Sequence, residues 1–350
     1  MPRKIITVVQ FALVAIFAVT TSGCAALFPE DKRPNFLIIL SDDQRYDTMD
    51  YMPQTQSLIF DQGVTFSNGF VTTSLCCPSR SSILTGMYAH NHNVRQNDDK
   101  LNIKTFMQYL HENNYYTGLV GKYLNSWKGE PRPEYNYWVS YFRGETKYYS
   151  PRLNVNGKWT RHKDQYVTDV LGDYSVEFLK KASQQRHPFA LLYAANAPHA
   201  PTTPANEDEK LLQDLKPNRP PSFNEPDTSD KPSWWRSRPL LNADEIAGVD
   251  KFRRDQLLTL ISLDRAVGKV MTELKNTGEL DNTVVIYLSD NGMFWGEHRM
   301  NEVKYSYYEE ASRVPFALRY PPLVPKPYID PHVIGNIDIA PTLYELAGIP

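Results

Sequence analysis

Asn35-Phe36-Leu37-Ile38-Ile39-Leu40-Ser41-Asp42-Asp43 is an unbroken apolar run that ends in a hydroxyl and two carboxylates. A strand with one wet face alternates apolar and polar residues, so a run that is apolar throughout belongs to a strand covered on both faces. Val284-Val285-Ile286-Tyr287-Leu288 repeats the pattern and its ending, with Ser289-Asp290-Asn291-Gly292 behind it. Phe189-Ala190-Leu191-Leu192-Tyr193 is a third such run and Thr117-Gly118-Leu119-Val120-Gly121 a shorter fourth. Helical patterns lie between them over 104–114, 166–184 and 250–276. The last carries Leu257, Ile261, Val267, Met271 and Leu274 at helical spacing, with Gly278 as a stop. Strands alternating with helices predict an α/β fold, with a mostly parallel central sheet flanked by helices on both faces.

Residues 200–245 break this rhythm. Pro201, Pro204, Pro217, Pro220, Pro221, Pro226, Pro232 and Pro239 fall among polar residues and the pair Trp234-Trp235. The stretch reads as a long irregular loop inside one domain of residues 34–350. Its tryptophans either meet substrate or staple the loop to the surface.

The chain has 350 residues, 38 basic against 40 acidic, for a net charge of −2. That balance gives no reason to expect a nucleic-acid partner. Of the three cysteines, Cys76 and Cys77 are adjacent, which is poor geometry for a structural disulfide, so a large core must hold the fold. At the N-terminus Arg3 and Lys4 precede an apolar run over 11–19 and the small residues before Cys24. That is the order of an export signal over residues 1–24, too short and interrupted for a membrane span. Ser22-Gly23-Cys24 resembles a bacterial lipobox, which implies a periplasmic or cell-surface protein with Cys24 as its lipid anchor; the alternative is ordinary cleavage near Ala25-Ala26, with Cys24 discarded.

In an open parallel sheet, sites form beyond the carboxyl ends of the strands. Asp42, Asp43, Asp290 and Asn291 therefore have the means to meet, although each aspartate alone is an equally good helix N-cap. Met together, they make an all-oxygen cluster that repels itself without a cation, and hard oxygen ligands select Ca²⁺ or Mg²⁺.

The segment Cys76-Cys77-Pro78-Ser79-Arg80, with Leu84-Thr85-Gly86 behind it, resembles the signature of the type I sulfatases, of the alkaline phosphatase superfamily. The resemblance implies that a maturation enzyme oxidises Cys76 to formylglycine, whose hydrate attacks the sulfur of a sulfate ester. It implies a metal site of Asp42, Asp43, Asp290 and Asn291 completed by the oxygen at Cys76. Arg80, Lys122 and Lys304 would hold the sulfate, and His199, in Ala197-Pro198-His199-Ala200-Pro201, would serve the leaving oxygen. His298 matches a family position near the cation, and His90 and His92 are expected to approach the sulfate pocket or the sugar.

Gly121-Lys122-Tyr123-Leu124-Asn125 resembles the glucosamine-6-sulfatase branch, which includes the heparan endosulfatases. So do His90-Asn91-His92-Asn93, Asp230-Lys231-Pro232-Ser233-Trp234-Trp235 and Tyr307-Tyr308-Glu309-Glu310. This adds Asn125 as a substrate contact and a sulfated carbohydrate as substrate. Sulfatases usually continue into a smaller C-terminal subdomain, so the chain reads as C-terminally truncated. Three rivals stand beside hydrolysis of sulfate esters. They are a phosphomonoester or phosphonate hydrolase of the same superfamily, a non-catalytic glycan-binding lipoprotein, and a metal-dependent phosphatase using Ser79 or Thr85.

Overall fold

The computed structural model describes residues 31–350, so the export signal and Cys24 lie outside the described residues. Residues 33–350 form one compact unit. Its ten strands are β1 (Asn35–Ser41), β2 (Val64–Phe70), β3 (Tyr116–Gly121), β4 (Tyr137–Ser140), β5 (Arg152–Val155), β6 (Lys158–Arg161), β7 (Phe189–Ala194), β8 (Thr283–Ser289), β9 (Phe316–Arg319) and β10 (Tyr328–Gly335). They make a single sheet in the order β10-β2-β9-β8-β1-β7-β3-β4-β5-β6. The pairings make β9 and β5 antiparallel to the other eight strands, so the sheet is mostly parallel, as expected.

The continuous apolar runs are the central strands β1, β7, β8 and β3, and every residue of β1 is buried. Alternate side chains serve opposite faces. Leu37 and Ile39, with Leu191, Tyr193, Val285 and Tyr287, pack in one core with Val167, Leu171 and Phe178 of the helix Val167–Ala182 and with Leu260 and Leu263 of the helix Ala243–Asn276. Phe36, Ile38 and Leu40 face the other way, toward the helices Cys76–Thr85, Phe106–Glu112 and Ile339–Ala347. Each fully buried aliphatic side chain contributes on the order of 2 kcal/mol, so both layers are needed. The long helix begins seven residues before the apolar periodicity does. Asn242 accepts from the Asp244 and Glu245 N–H groups, and Glu245 returns the bond in a capping box. Among the described residues no helix is long and apolar enough to cross a membrane.

Register sets the level at which the strands release their next residues. Leu40 is paired with both Leu288 and Ala194, Ala194 with Gly121, and Ser41 with Ser289. Asp42, Asp290 and Lys122 therefore leave the same edge of the sheet side by side. Gly121 makes this possible for Lys122. Its φ is +113°, and a Cβ there would stand 1.8 Å from the Ala194 carbonyl oxygen. Gly121→Ala is expected to lose about 2 kcal/mol or more of stability, from the left-handed backbone and the clash together, read as a lower urea midpoint. An unchanged midpoint would mean that the β3–β7 edge is looser than drawn.

Candidate active site

Two tight turns build the carboxylate cluster. The Asp43 N–H donates to Asp290 Oδ1 at 3.1 Å, and the Asp290 N–H donates to the Ser41 carbonyl at 3.1 Å. The Asp42 N–H reaches the Ala197 carbonyl at 3.1 Å, which ties in the loop that carries His199. Neither Asp42 nor Asp290 caps a helix: the first helical turn after β1 is capped at Arg45, and β8 is followed by irregular backbone. Asp42, Asp43 and Asp290 are each 1% exposed or less, with ligand oxygens within 4.8 Å of one another.

Three cations answer them. Lys122 Nζ lies 2.6 Å from Asp42 Oδ2, Arg80 Nε lies 2.7 Å from Asp290 Oδ2, and Lys304 Nζ bonds Asp43 Oδ1. Burial alone would raise Asp42. Lys122 foremost, with His199 and Arg80, overrides it and holds the carboxyl down to about 2. Burial also pushes Asp43 up, yet Lys304 and His199 bring it below its ordinary value. Lys122 and Lys304 are raised against their own burial, chiefly by Asp42 and Asp43 respectively. Asp42 and Asp43 are thus ionised at neutral pH.

Cys76 opens the helix Cys76–Thr85, and Arg80 stands one turn further along the same face. Lys304 Nζ lies 2.9 Å from Cys76 Sγ, and Asp42 Oδ1 lies 3.7 Å from it. Burial pushes the thiol up to about 11 despite Lys122 and Lys304, so the side chain as encoded is a neutral thiol and a weak nucleophile. His199 Nε2 faces Asp43 Oδ2 at 3.8 Å. Its Nδ1 lies 2.5 Å from the Ala200 carbonyl, which can only accept, so Nδ1 carries a proton and Nε2 is the nitrogen turned toward the acidic cluster.

A divalent cation fits the donor set. Asp43 Oδ2 and Asn291 Oδ1 are both buried without a hydrogen-bond partner, and both belong to the acidic cluster. Buried acceptors left unpaired are costly, and a hard cation satisfies both at once. Asn291 Nδ2 meanwhile donates to Asp43 Oδ1 at 2.7 Å.

Other expected site residues lie elsewhere. His92 is 2% exposed, with Nε2 3.0 Å from Ser82 Oγ and Nδ1 accepting from the Val94 N–H. Both ring nitrogens are engaged by the protein, so His92 braces the back of the signature helix instead of meeting the sugar. His298 also departs from expectation. Its Nδ1 pairs with Glu225 Oε1 at 2.7 Å, and its ring lies 4.3 Å from that of Tyr308, with no direct contact to the acidic cluster. His90 is exposed and stacked on Tyr88 at 5.7 Å. Asn125 lies beside Lys122: a Cβ added at Gly144 would touch both, and Asn125 Oδ1 is buried without a partner.

The proline-rich stretch is a brace. Trp235 is buried and its Nε1 donates to the His298 carbonyl at 2.8 Å, while Trp234 is 58% exposed. Arg299 donates to the carbonyls of Glu225, Pro226 and Arg238. These bonds hold the backbone leading to Lys304, where His298, Arg299, Glu302 and Tyr305 all have positive φ. Two further supports carried no sequence signal. Glu297, fully buried, bonds Arg45 Nη1 at 2.9 Å and pins the segment after Asp290. The Tyr141 hydroxyl is buried and unpartnered, in the field of Asp42, Arg80 and Cys76.

A family model described as Sulfatase matches residues 34–349. An extracellular sulfatase SULF-1 homolog of Drosophila melanogaster is 34% identical over 91% of this chain and 30% of its own length. The N-acetylglucosamine-6-sulfatase of Homo sapiens is 34% identical over 95% of this chain and 65% of its own length. The chain thus spans 30% to 65% of these relatives. Two solved structures share the fold. BT4656, in complex with its substrate D-glucosamine-2-N,6-O-disulfate, has a TM-score of 0.80 at 24% identity, covering 91% of this chain and 77% of that one. The phosphonate monoester hydrolase SpPMH from Silicibacter pomeroyi has a TM-score of 0.69 at 21% identity, covering 90% and 73%.

Calcium at about 100 times its Kd is expected to stabilise the protein by about 2.7 kcal/mol, seen as a rise in Tm that a chelator reverses. Asp290→Ala should abolish the rise. A Tm indifferent to both Ca²⁺ and Mg²⁺ would count against a metal centre.

Proposed function

Because this chain belongs to the sulfatase family, we propose that it hydrolyses sulfate monoesters of a sulfated sugar, with 6-O-sulfated glucosamine as the substrate class. One observation carries the reading: Cys76 Sγ lies within reach of Lys304 and Asp42, among three buried carboxylates paired with the buried Lys122 and Arg80 and the half-buried Lys304. When present, formylglycine at residue 76 would supply a hydrated aldehyde as nucleophile, and a Ca²⁺ or Mg²⁺ ion held by Asp42, Asp43, Asp290 and Asn291 would supply Lewis acidity.

The chain supplies the remainder. Lys122 and Lys304, fixed by Asp42 and Asp43, aim positive charge at the sulfuryl oxygens without reorganising as charge develops. Arg80 is held by Asp290 through Nε and by the Lys122 carbonyl through Nη1, which leaves Nη2, 3.7 Å from Asp42 Oδ2 and without a hydrogen bond, to donate to a sulfate oxygen. His199 Nε2 donates its proton to the leaving alcohol and is restored from solvent, since its ring is 25% exposed. Asn125, with its unpartnered carbonyl oxygen beside Lys122, is placed for a sugar hydroxyl. The N-terminal sequence and the extracellular sulfatase among the relatives support export, with maturation of Cys76 by a formylglycine-generating or sulfatase-maturating enzyme.

Matched sulfate, phosphate and phosphonate esters of one alcohol test the reading, and the sulfate is expected to be preferred. Cys76→Ala should reduce kcat to background while moving Tm by only a few degrees, because one sulfur is lost from a buried site. A preference for the phosphorus esters would reassign the chain within its superfamily, and full activity in Cys76→Ala would end the proposed chemistry. His199→Ala is expected to cost about 10²–10⁴ in kcat for an alkyl sulfate and far less for an aryl sulfate whose leaving group needs no proton.

A further inference from the structure

Two cavities share a wall at Lys128 and Glu130. One, of about 790 Å³, is lined by Lys100, Lys104, Lys128 and Arg132 with Trp127. The other, of about 520 Å³, is lined by Lys128 again, with Lys147, Arg152, Arg161 and Trp159. Together they gather seven cations against three carboxylates, Glu112, Glu130 and Glu145, in a chain whose net charge is −2. Lys104 and Arg132 have ion-pair partners, Glu112 and Glu134. Among the described residues no ion pair involves Lys100, Lys128, Lys147, Arg152 or Arg161.

The strand register sharpens this. Arg152 of β5 stands directly opposite Arg161 of β6 in the antiparallel pair. Like charges facing each other across strands are destabilising, and neither arginine is offset by a carboxylate. The guanidinium of Arg152 lies over the Trp159 ring at 5.1 Å, and that of Arg132 over Trp127 at 4.8 Å. The aromatic faces thus back the cations, which suits fork-like recognition of sulfate and carboxylate more than stacking of nucleobases.

Both cavities are walled by segments that run on from the candidate site. The first is walled by the residues that follow Lys122, namely Tyr123, Leu124, Ser126 and Trp127. The second includes Phe142 and Glu145, which bracket Gly144, where a Cβ would lie 3.1 Å from Lys122 Cε. The Arg143 N–H donates to the Trp127 carbonyl at 2.9 Å and joins the two walls. Resting on the sulfatase reading above, we propose that the two cavities form one groove that binds further anionic residues of a sulfated polysaccharide whose scissile sulfate lies at Cys76.

Calorimetry on full-length Cys76→Ala separates binding from turnover, with a heparin-type hexasaccharide, its desulfated counterpart and an oligothymidylate of equal charge as probes. The sulfated hexasaccharide should bind, its affinity should fall as salt is raised, and the desulfated one should not bind. Arg152→Glu with Arg161→Glu should weaken it about tenfold or more, and so should Lys128→Glu with Lys147→Glu on other segments. In the active enzyme the same pairs should raise KM for the hexasaccharide relative to a glucosamine-6-sulfate monosaccharide by a similar factor. Undiminished affinity in both double variants, or equally tight binding of the desulfated sugar or the oligothymidylate, would overturn the groove. If sulfate esters are cleaved but the KM ratio ignores the variants, the groove fails and the sulfatase reading stands. If the hexasaccharide binds through these residues and no sulfate ester is cleaved, the reverse holds.

Discussion

Three carboxylates crowded into a dry interior need positive charge placed against each of them, because burial and mutual repulsion both disfavour their charged forms. The parallel pairing of β1 with β8 forces that situation by releasing Asp42 and Asp290 at one level. Every element around the site answers it. The end of β3 brings Lys122, the signature helix brings Arg80, and the braced segment after β8 brings Lys304. The same charges that make the acidic cluster tolerable stand where a sulfuryl group would need them. Removing one partner would leave a buried charge uncompensated, at a cost of about 3–5 kcal/mol, so fold and site are not separable here.

The arrangement also explains the long proline-rich stretch. Lys304 sits on irregular backbone with several left-handed residues, which would not hold its geometry alone. Trp235, Glu225 and the carbonyls that receive Arg299 fasten that backbone from outside. Glu297 and Arg45 fasten it from inside. The stretch works as scaffolding for the segment that carries Lys304, and Trp234 beside the buried Trp235 stays exposed.

The parts legible in the sequence are those with strong periodicity. Strands β1, β7 and β8 are continuous apolar runs, and the repeated Leu-Ser-Asp ending marked Asp42 and Asp290 before any contact was known. The flanking strands were silent for physical reasons. β5 and β6 have four residues each, and β10 carries Pro331 and is largely exposed, so none shows a clean apolar pattern. The start of the long helix was hidden by the prolines before Asn242. Lys122, Lys304 and His199 were visible only through family resemblance, because a single lysine or histidine has no local signature. His92 and His298 show the limit of that route: sequence position says which loop a ring stands on, but packing against Ser82 or Tyr308 decides where it points. Glu225 and Glu297 had no signal, since their partners are distant in sequence and set by tertiary contact.

The central claim is that Cys76 is the precursor of the nucleophile and not the nucleophile itself. A thiol held protonated by burial, between an ammonium and a carboxylate, is poorly suited to attack a sulfate ester and well placed to present an oxygen there. Mass spectrometry of the peptide containing Cys76, on protein from its natural host and with an aminooxy reagent to trap carbonyls, tests this most directly. The account predicts an aldehyde at residue 76. An intact thiol in active protein, from a host shown to mature other sulfatases, would contradict it.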